Sequence, residues 1–459
     1  MRGGIQVKKF FSALGSDIKD IGVTFVDGDA KTRLSYLIFG FGQLMRGQIV
    51  KGLAFLGCEI AFIVYMIKFG WFYLSKFSTL GTVETVKEGR KTIYGDNSFL
   101  ILLFGLLTII LIAFFILLWR MNIGENRKEE LLLGAGKQLP TNRRVLGSLL
   151  DSNFDKTLLT LPVLGIFVFT VLPIIFMICV AFTNYDKTHQ SPTNLFTWVG
   201  LDNFKQLFSF GTTGFGTTFL SVLGWTLVWA FFATFLDYFL GMAVAILINK
   251  KGIKFKKLWR TILVITIAVP QFVSLLYVYK MFTNDGLVNG YLMKWGWIKS
   301  AIPFWTDPML ARITIIVVNI WIGIPYMMLI ATGLLMNIPE ELYESARIDG
   351  ANSMQMFRKI TLPYMLFVTG PFLLTQFTGN LNNFNVIYLL TKGQPLSMNM
   401  AANAGKTDLL VTWLYKMTVT DTNYKMAAVI GIMVFVVTAV ISLGVYNMLP
   451  SVRDEGGFQ

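Results

Sequence analysis

The chain has 459 residues, only 14% of them charged, with 40 phenylalanines and a mean hydropathy of +0.60. A water-soluble domain does not hide that much apolar surface, so a polytopic membrane protein is expected and a soluble enzyme is not. The +14 net charge does not indicate nucleic acid, because Lys and Arg cluster between apolar stretches rather than on one amphipathic face.

The N-terminal 34 residues are basic, and the first apolar run follows Arg33 without a small-residue cleavage site, so no removable signal peptide is expected. Segment 36–47 is apolar but too short to cross a bilayer and is expected at the interface. A crossing needs about 20 mainly apolar residues. Eight stretches qualify: 50–75, 98–119, 157–183, 220–248, 261–283, 313–336, 364–390 and 426–449. Helices rather than a barrel are the required solution to backbone hydrogen bonding in such long spans. Cys58 and Cys179 fall inside them and read as small core residues rather than a disulfide. Glu59 and Lys68 flank the first span's apolar stretch, where snorkelling or interhelical pairing is expected. Asp237 in the fourth is a functional candidate as an intramembrane acid; structural pairing and a water-facing position stand equally open.

The loops set orientation. The connection Lys250 to Arg260 holds six cations and no acid, which makes it cytoplasmic by the positive-inside rule. Segment 120–156 is basic as well, whereas loops 184–219 and 284–312 are poor in cations. Both termini are therefore expected inside and loops 76–97 and 391–423 outside, with residues 450–459 as a cytoplasmic tail. One division is expected: residues 1–156 hold two accessory spans and a basic linker, and residues 157–449 hold six spans.

Between the sixth and seventh spans lies a short polar stretch with helix punctuation. Pro339 before Glu340 and Glu341 suits a helix N-terminus. Gly350 suits a left-handed cap, and Asn352 with Gln355 suits a capping box opening a second short helix. Leu342 and Ala346 share a face that could lie in a partner's groove. Gly405-Lys406-Thr407 has the look of a phosphate loop. Its required first glycine is Met400, however, and the segment is expected outside, so energy must come from another chain. His189 is the single histidine, and no paired-carboxylate or cysteine-ligand spacing is present; no catalytic or metal site is expected.

Polar clusters converge in depth within three spans. Pro270 and Gln271 lie about 15 Å from the inner end of the fifth, counted from Arg260. Asn319 to Tyr326 lie about 10–20 Å from the outer end of the sixth, and Asn380 and Asn383 about 20–25 Å into the seventh. Pro270, Pro325 and Gly370-Pro371 can loosen their helices nearby, which is tolerated where backbone lines a cavity. Amides that both donate and accept, beside aromatic residues, suit a sugar. The alternative is that these amides tie helices together, as Asn and Gln do in membranes.

Several of these stretches resemble one family. Glu344-Ser345-Ala346, then Gly350, then Ile360 before Leu362-Pro363, looks like the EAA loop of membrane subunits of ATP-binding-cassette (ABC) importers. Asn319-Ile-Trp321-Ile-Gly323-Ile-Pro325-Tyr326 and Asn380-Leu-Asn382-Asn383-Phe384 resemble the MalF-type permeases of maltose and maltodextrin importers. Gly47–Gly57 resembles the Gram-positive, maltodextrin-type branch. The resemblance implies an all-α type I permease core of six helices after two N-terminal ones. It implies sugar contacts at Gln271, Asn319, Ile322, Gly323, Tyr326, Gln376, Asn380, Asn383 and Asn385. It also implies coupling to ATPase subunits through Glu344, Ser345, Ala346, Asp349, Gly350, Ala351, Ile360, Leu362 and Pro363. The expected partners are a second, MalG-like permease, two ATP-binding subunits that carry ATP and Mg, an extracellular sugar-binding protein, the sugar and the bilayer. No cofactor is expected on this chain. Gln376 stands where the family has a small hydroxyl residue, Gly379 where it has an aromatic and Asn385 where it has an apolar one, which leaves the preferred sugar open. The family's large insertion between the third and fourth spans is absent. An ion-coupled secondary transporter would show a repeat between halves, and a polytopic enzyme would show acidic groups at a membrane face.

Overall fold

The computed structural model describes residues 19–211, 214–250 and 252–449; both termini, including the expected tail at 450–459, lie outside them. Among the described residues seven helices are long and apolar enough to cross a membrane, and one bent pair passes the same test when its two helices are taken together, which brings the number to eight if the pair is one span. The fold is all-α apart from one antiparallel hairpin, Val86–Glu88 with Lys91–Ile93. It packs as two compact units, Met1–Trp198 and Val199–Gln459.

In the first unit, segment 36–47 is anchored to its neighbours on one side, while Leu37, Ile38 and Met45 stay exposed. Phe39 and Gln43 are buried. The non-helical backbone there must find partners. The N–H of Phe39 donates to Glu59 Oε2 at 2.8 Å, and that of Gly40 to Asn122 Oδ1 at 3.0 Å. Glu59 therefore neither snorkels nor forms an ion pair among the described residues; it anchors this segment. Arg46 adds bonds to Asp29 at 2.7 Å and to Asn126 Oδ1 at 2.9 Å. The second span, Ser98–Gly134, has 37 residues, about 55 Å at the helical rise and longer than the ~30 Å apolar core of a bilayer. It overruns the expected end at 119 because Asn122 and Asn126 on its extension serve the 35–46 segment. Outside the spans, burial alone would raise the Asp96 carboxyl. Its bonds from the Lys76 ammonium and the N–H groups of Thr82 and Val83 instead hold it below its ordinary value. The unit continues past residue 156 because the chain after the third span, Phe154–Val180, returns to it. There the N–H of Phe196 donates to Ser98 Oγ at 3.2 Å and Trp198 Nε1 to the Phe77 carbonyl at 3.0 Å.

The second unit is built on the fourth span, Phe215–Asn249, packed along the sixth, Pro308–Leu335. Trp225, Trp229, Ile315 and Val318 fill their shared core with Leu381 and Ile387. At the end away from Asn249, the 391–409 loop is knotted around Asp408. That carboxylate accepts from the Gly405 N–H at 2.7 Å, Thr412 Oγ1 at 2.9 Å and Lys416 Nζ at 2.6 Å. Gly393 has φ +80°, and a Cβ there would stand 1.9 Å from Asp408 Oδ1, so only glycine fits. Gly405-Lys406-Thr407 belongs to this knot, with Thr407 fully buried.

Two spans expected to be continuous are broken. The fifth consists of Lys256–Ala268 and Gln271–Met281, bent by 92°. Pro270 has no N–H to continue the ladder, and it forces Val269 into an extended conformation (φ −79°, ψ 126°). The seventh runs as a helix over Leu362–Leu381, stops at Asn382 and restarts as Phe384–Leu390. At its other end it does not begin at 364. Ser353–Met356 passes through a π turn, Phe357–Thr361, straight into Leu362–Leu381, so the expected second short helix is the first turn of this span. The wide turn, closed by Leu362 N–H to the Phe357 carbonyl, admits the Pro363 ring.

Candidate translocation site and coupling helix

A cavity of about 310 Å³ opens where the fifth span breaks, facing the sixth. Gln271, Ile322 and Tyr326, three of the expected sugar contacts, line it together with Trp321, Ser274 and Thr266. Ile322 and Tyr326 are one turn apart and so share a helix face. Tyr326 and Trp321 are about half exposed, at 48% and 50%. By helix geometry the last carbonyls of Lys256–Ala268 and the first N–H groups of Gln271–Met281 have no partner within their own helices. The wall thus offers backbone acceptors and donors beside an amide, a phenol and two hydroxyls.

The asparagines are placed differently. Asn319 is buried and donates through Nδ2 to Asp237 Oδ2 on the fourth span at 3.0 Å. Gly323, one turn on, lets that carboxylate lie against the helix: a Cβ there would come within 2.0 Å of Oδ2. Asp237 is thus a structural partner of the sixth span, although its Oδ1 has no hydrogen-bond partner. Asn380 donates to Thr234 Oγ1 at 3.0 Å, accepts from Asn383 Nδ2 at 3.2 Å, and its carbonyl accepts from Trp229 Nε1 at 3.1 Å. Asn383 caps Phe384–Leu390 through the Val386 N–H at 3.3 Å. Gln376 is half-buried and Asn385 exposed. The structure therefore gathers Gln271, Ile322 and Tyr326 in one cavity, and uses the amides of Asn319, Asn380 and Asn383 in bonds between or within spans. Sequence reasoning missed Trp321, Ser274 and Thr266. Their signal was the proline break itself, which turns both helix ends toward one space.

At the Asn249 end of the unit, Glu340–Ile348 forms a helix with its two acids in the first turn. Gly350 at φ +80° ends it, with the Ala351 N–H reaching back to the Ala346 carbonyl at 2.8 Å. The Asn352–Gln355 capping box is present in both directions, at 2.9 and 2.8 Å. Tyr343 and Thr361 share a hydroxyl bond of 2.8 Å that ties this helix to the π turn below the seventh span. The helix buries none of its residues: Leu342 is 50% and Ile348 87% exposed, while Glu344, Ser345 and Asp349 are also exposed. Two exposed aliphatics on a helix bonded to the span through Tyr343 offer a partner an apolar contact. Ala351 and Ile360 are half-buried beneath it, and Leu362 and Pro363 begin the span proper.

Residues 237–454 match the family described as binding-protein-dependent transport system inner membrane components. A maltodextrin transport system permease of Bacillus subtilis, MdxF, is 36% identical over 90% of this chain and 94% of its own. A galactooligosaccharides transport system permease of the same organism, GanP, is 33% identical over 91% and 97%. A crystal structure of a bacterial alginate ABC transporter, in complex with an alginate pentasaccharide-bound periplasmic protein, superposes with a TM-score of 0.55 at 23% identity. That match covers 68% of this chain and 99% of the other, and supports the fold. Together with the helical crossings and the exposed short helix, these matches define a transport permease of the inner membrane. The chain belongs to the binding-protein-dependent permeases of ABC importers, in their MalF-type branch. Membership implies ATPase subunits and a solute-binding protein as partners.

Proposed function

We propose that this chain is one of two permease subunits of an importer for a maltodextrin or a related neutral oligosaccharide, working by alternating access. The observation that carries the reading is the cavity at the broken fifth span. It combines the Gln271 amide and the Tyr326 phenol with the flat face of Trp321 and the aliphatic Ile322, and its lining has no charged side chain, as suits neutral hydroxyls. Asn319, Asn380 and Asn383 shape the helices around it, and Gln376 and Asn385 extend the set along the seventh span. Gly323 belongs to the set by admitting Asp237. A second, MalG-like permease completes the pathway, and an extracellular binding protein delivers the sugar. Two ATP-binding subunits, which hold the ATP and Mg, grip Glu340–Ile348 through Leu342 and Ile348, with Glu344, Ser345, Ala346 and Asp349 along the same helix. That helix, both termini and the Lys250–Arg260 loop face the cytoplasm.

A galactooligosaccharide is the second reading, favoured by the near-equal likeness to GanP. Both are tested by purifying the chain with its natural partners and measuring ATP-driven uptake into liposomes of maltotriose, a β-galactotriose and a charged uronate trimer. Uptake of maltotriose alone fits the first reading and uptake of the galactotriose alone the second. Uptake of neither, or loss of all ATP dependence, sinks the proposal.

A further inference from the structure

A second space in the permease unit has no part in the translocation site. It is a groove of about 580 Å³ along the seventh span, walled by the last span, Tyr424–Tyr446. Its floor runs from Pro363 through Leu366, Gly370 and Leu373 to Phe377, with Val445 on the facing helix. These positions recur at three- and four-residue spacing, a single helix face. Gly370 is buried at its centre, where the missing side chain deepens it.

Two observations identify the occupant. The 14 residue steps from Pro363 to Phe377 cover about 21 Å at the helical rise, enough to reach through one leaflet's ~15 Å of hydrocarbon. At its Pro363 end, Lys359 precedes Pro363 by one turn and Leu366 by two, on the same face, with Arg358 beside it. Both cations are exposed, and neither forms an ion pair among the described residues. Basic residues at the mouth of an apolar inter-helix groove are the arrangement that holds an anionic lipid headgroup.

The geometry points to a binding site for an anionic phospholipid, one acyl chain lying between the seventh and last spans and the phosphate at Lys359 and Arg358. Because those cations sit on the π turn that Tyr343 bonds, the lipid lies against the joint between the exposed short helix and its span. The site stands whichever sugar the importer carries.

The purified complex, with its partner subunits, is delipidated in detergent and titrated with phosphatidylglycerol or phosphatidylcholine of matched chains. Retained lipid is counted by native mass spectrometry. Phosphatidylglycerol is expected to bind preferentially, and K359Q and R358Q are each expected to weaken it about fivefold, the size of one surface charge near a lipid headgroup. Both substituted residues are exposed, so folding is not at stake. A photo-crosslinker at Leu366 gives an independent reading, with adducts to lipid expected. Equal retention of the two lipids, no effect of the charge substitutions, or cross-linking of position 366 to the partner permease would each overturn the assignment.

Discussion

The contact between Gly323 and Asp237 gives the sharpest test of how the fourth and sixth spans are held. A methyl group at position 323 would stand 2.0 Å from Asp237 Oδ2 and 2.4 Å from its Cγ, far inside contact distance. The carboxylate must swing away, which breaks the 3.0 Å bond from Asn319 and leaves a buried amide without its partner. Overpacking a tight interior costs about 1–3 kcal/mol, and an unsatisfied buried donor about 1–3 kcal/mol more, so G323A should destabilise the chain by roughly 3 kcal/mol. D237A alone should cost about 1–3 kcal/mol, because it strands the same amide. In the D237A background the obstacle is gone, and adding G323A should then cost under about 1 kcal/mol. A double-mutant cycle on thermal unfolding of the assembled complex in detergent reads the difference directly. Coupling of about 2 kcal/mol is expected; strictly additive costs would refute the contact.

A Cβ added at Gly350 would meet nothing within 4 Å, but the residue sits at φ +80°, so only the backbone penalty of about 1–2 kcal/mol opposes a substitution there. G350V should uncouple ATP hydrolysis from uptake while the complex assembles, and G350N, which tolerates the left-handed cap, should restore coupling; normal uptake by G350V contradicts the coupling role. The Asp96 carboxyl is held below its ordinary value of 3.8, so its contribution is complete above that pH and fades as pH falls through the lower native value. Acid unfolding of the first unit should therefore lose part of its pH dependence in D96N, and an unchanged profile would dismiss the Lys76 contact as a stabilising one. Cysteines placed at Thr193 and Gly252, both exposed, should differ in intact cells, the first labelling from outside and the second not. Labelling of position 252 would invert the topology.

The short exposed helix was fully legible in the sequence, because its ends are set by local chemistry. Pro339 and Gly350 each act within one turn and are found in their expected roles, and the Asn352–Gln355 capping box forms as expected but opens the seventh span rather than a separate short helix. The spans were legible as apolar lengths, and Pro270, Pro325 and Gly370-Pro371 marked places where a helix can loosen, but which of them breaks its helix was not legible. Pro270 stops its helix and turns it by 92°, whereas Pro325 and Pro371 remain inside theirs. All three lie in apolar stretches, so composition alone does not separate them. The asparagines show the same limit. Depth placed Asn319 and Asn380 near the polar level, but the direction of each amide is decided by what the fourth span presents, Asp237 to one and Thr234 to the other. Segment 36–47 was too short to cross, and its anchoring depends on Glu59 and Asn122, the latter 82 residues away from its partner Gly40.

The central claim is that sugar passes through the cavity at the broken fifth span, and not through a pocket built on the asparagines that tie the helices. Uptake per assembled complex separates these directly. Y326A and Q271A remove groups that line the cavity without touching an interhelical bond, while N380A removes the bond to Thr234. A lost hydrogen bond to a hydroxyl is worth about 0.5–1.5 kcal/mol. The apparent KM for oligosaccharide in proteoliposomes should accordingly rise several-fold in Y326A and Q271A at unchanged assembly, whereas N380A should lower assembly or thermal stability first. Unaltered KM in both cavity variants, with a transport defect confined to well-assembled N380A, would contradict the account.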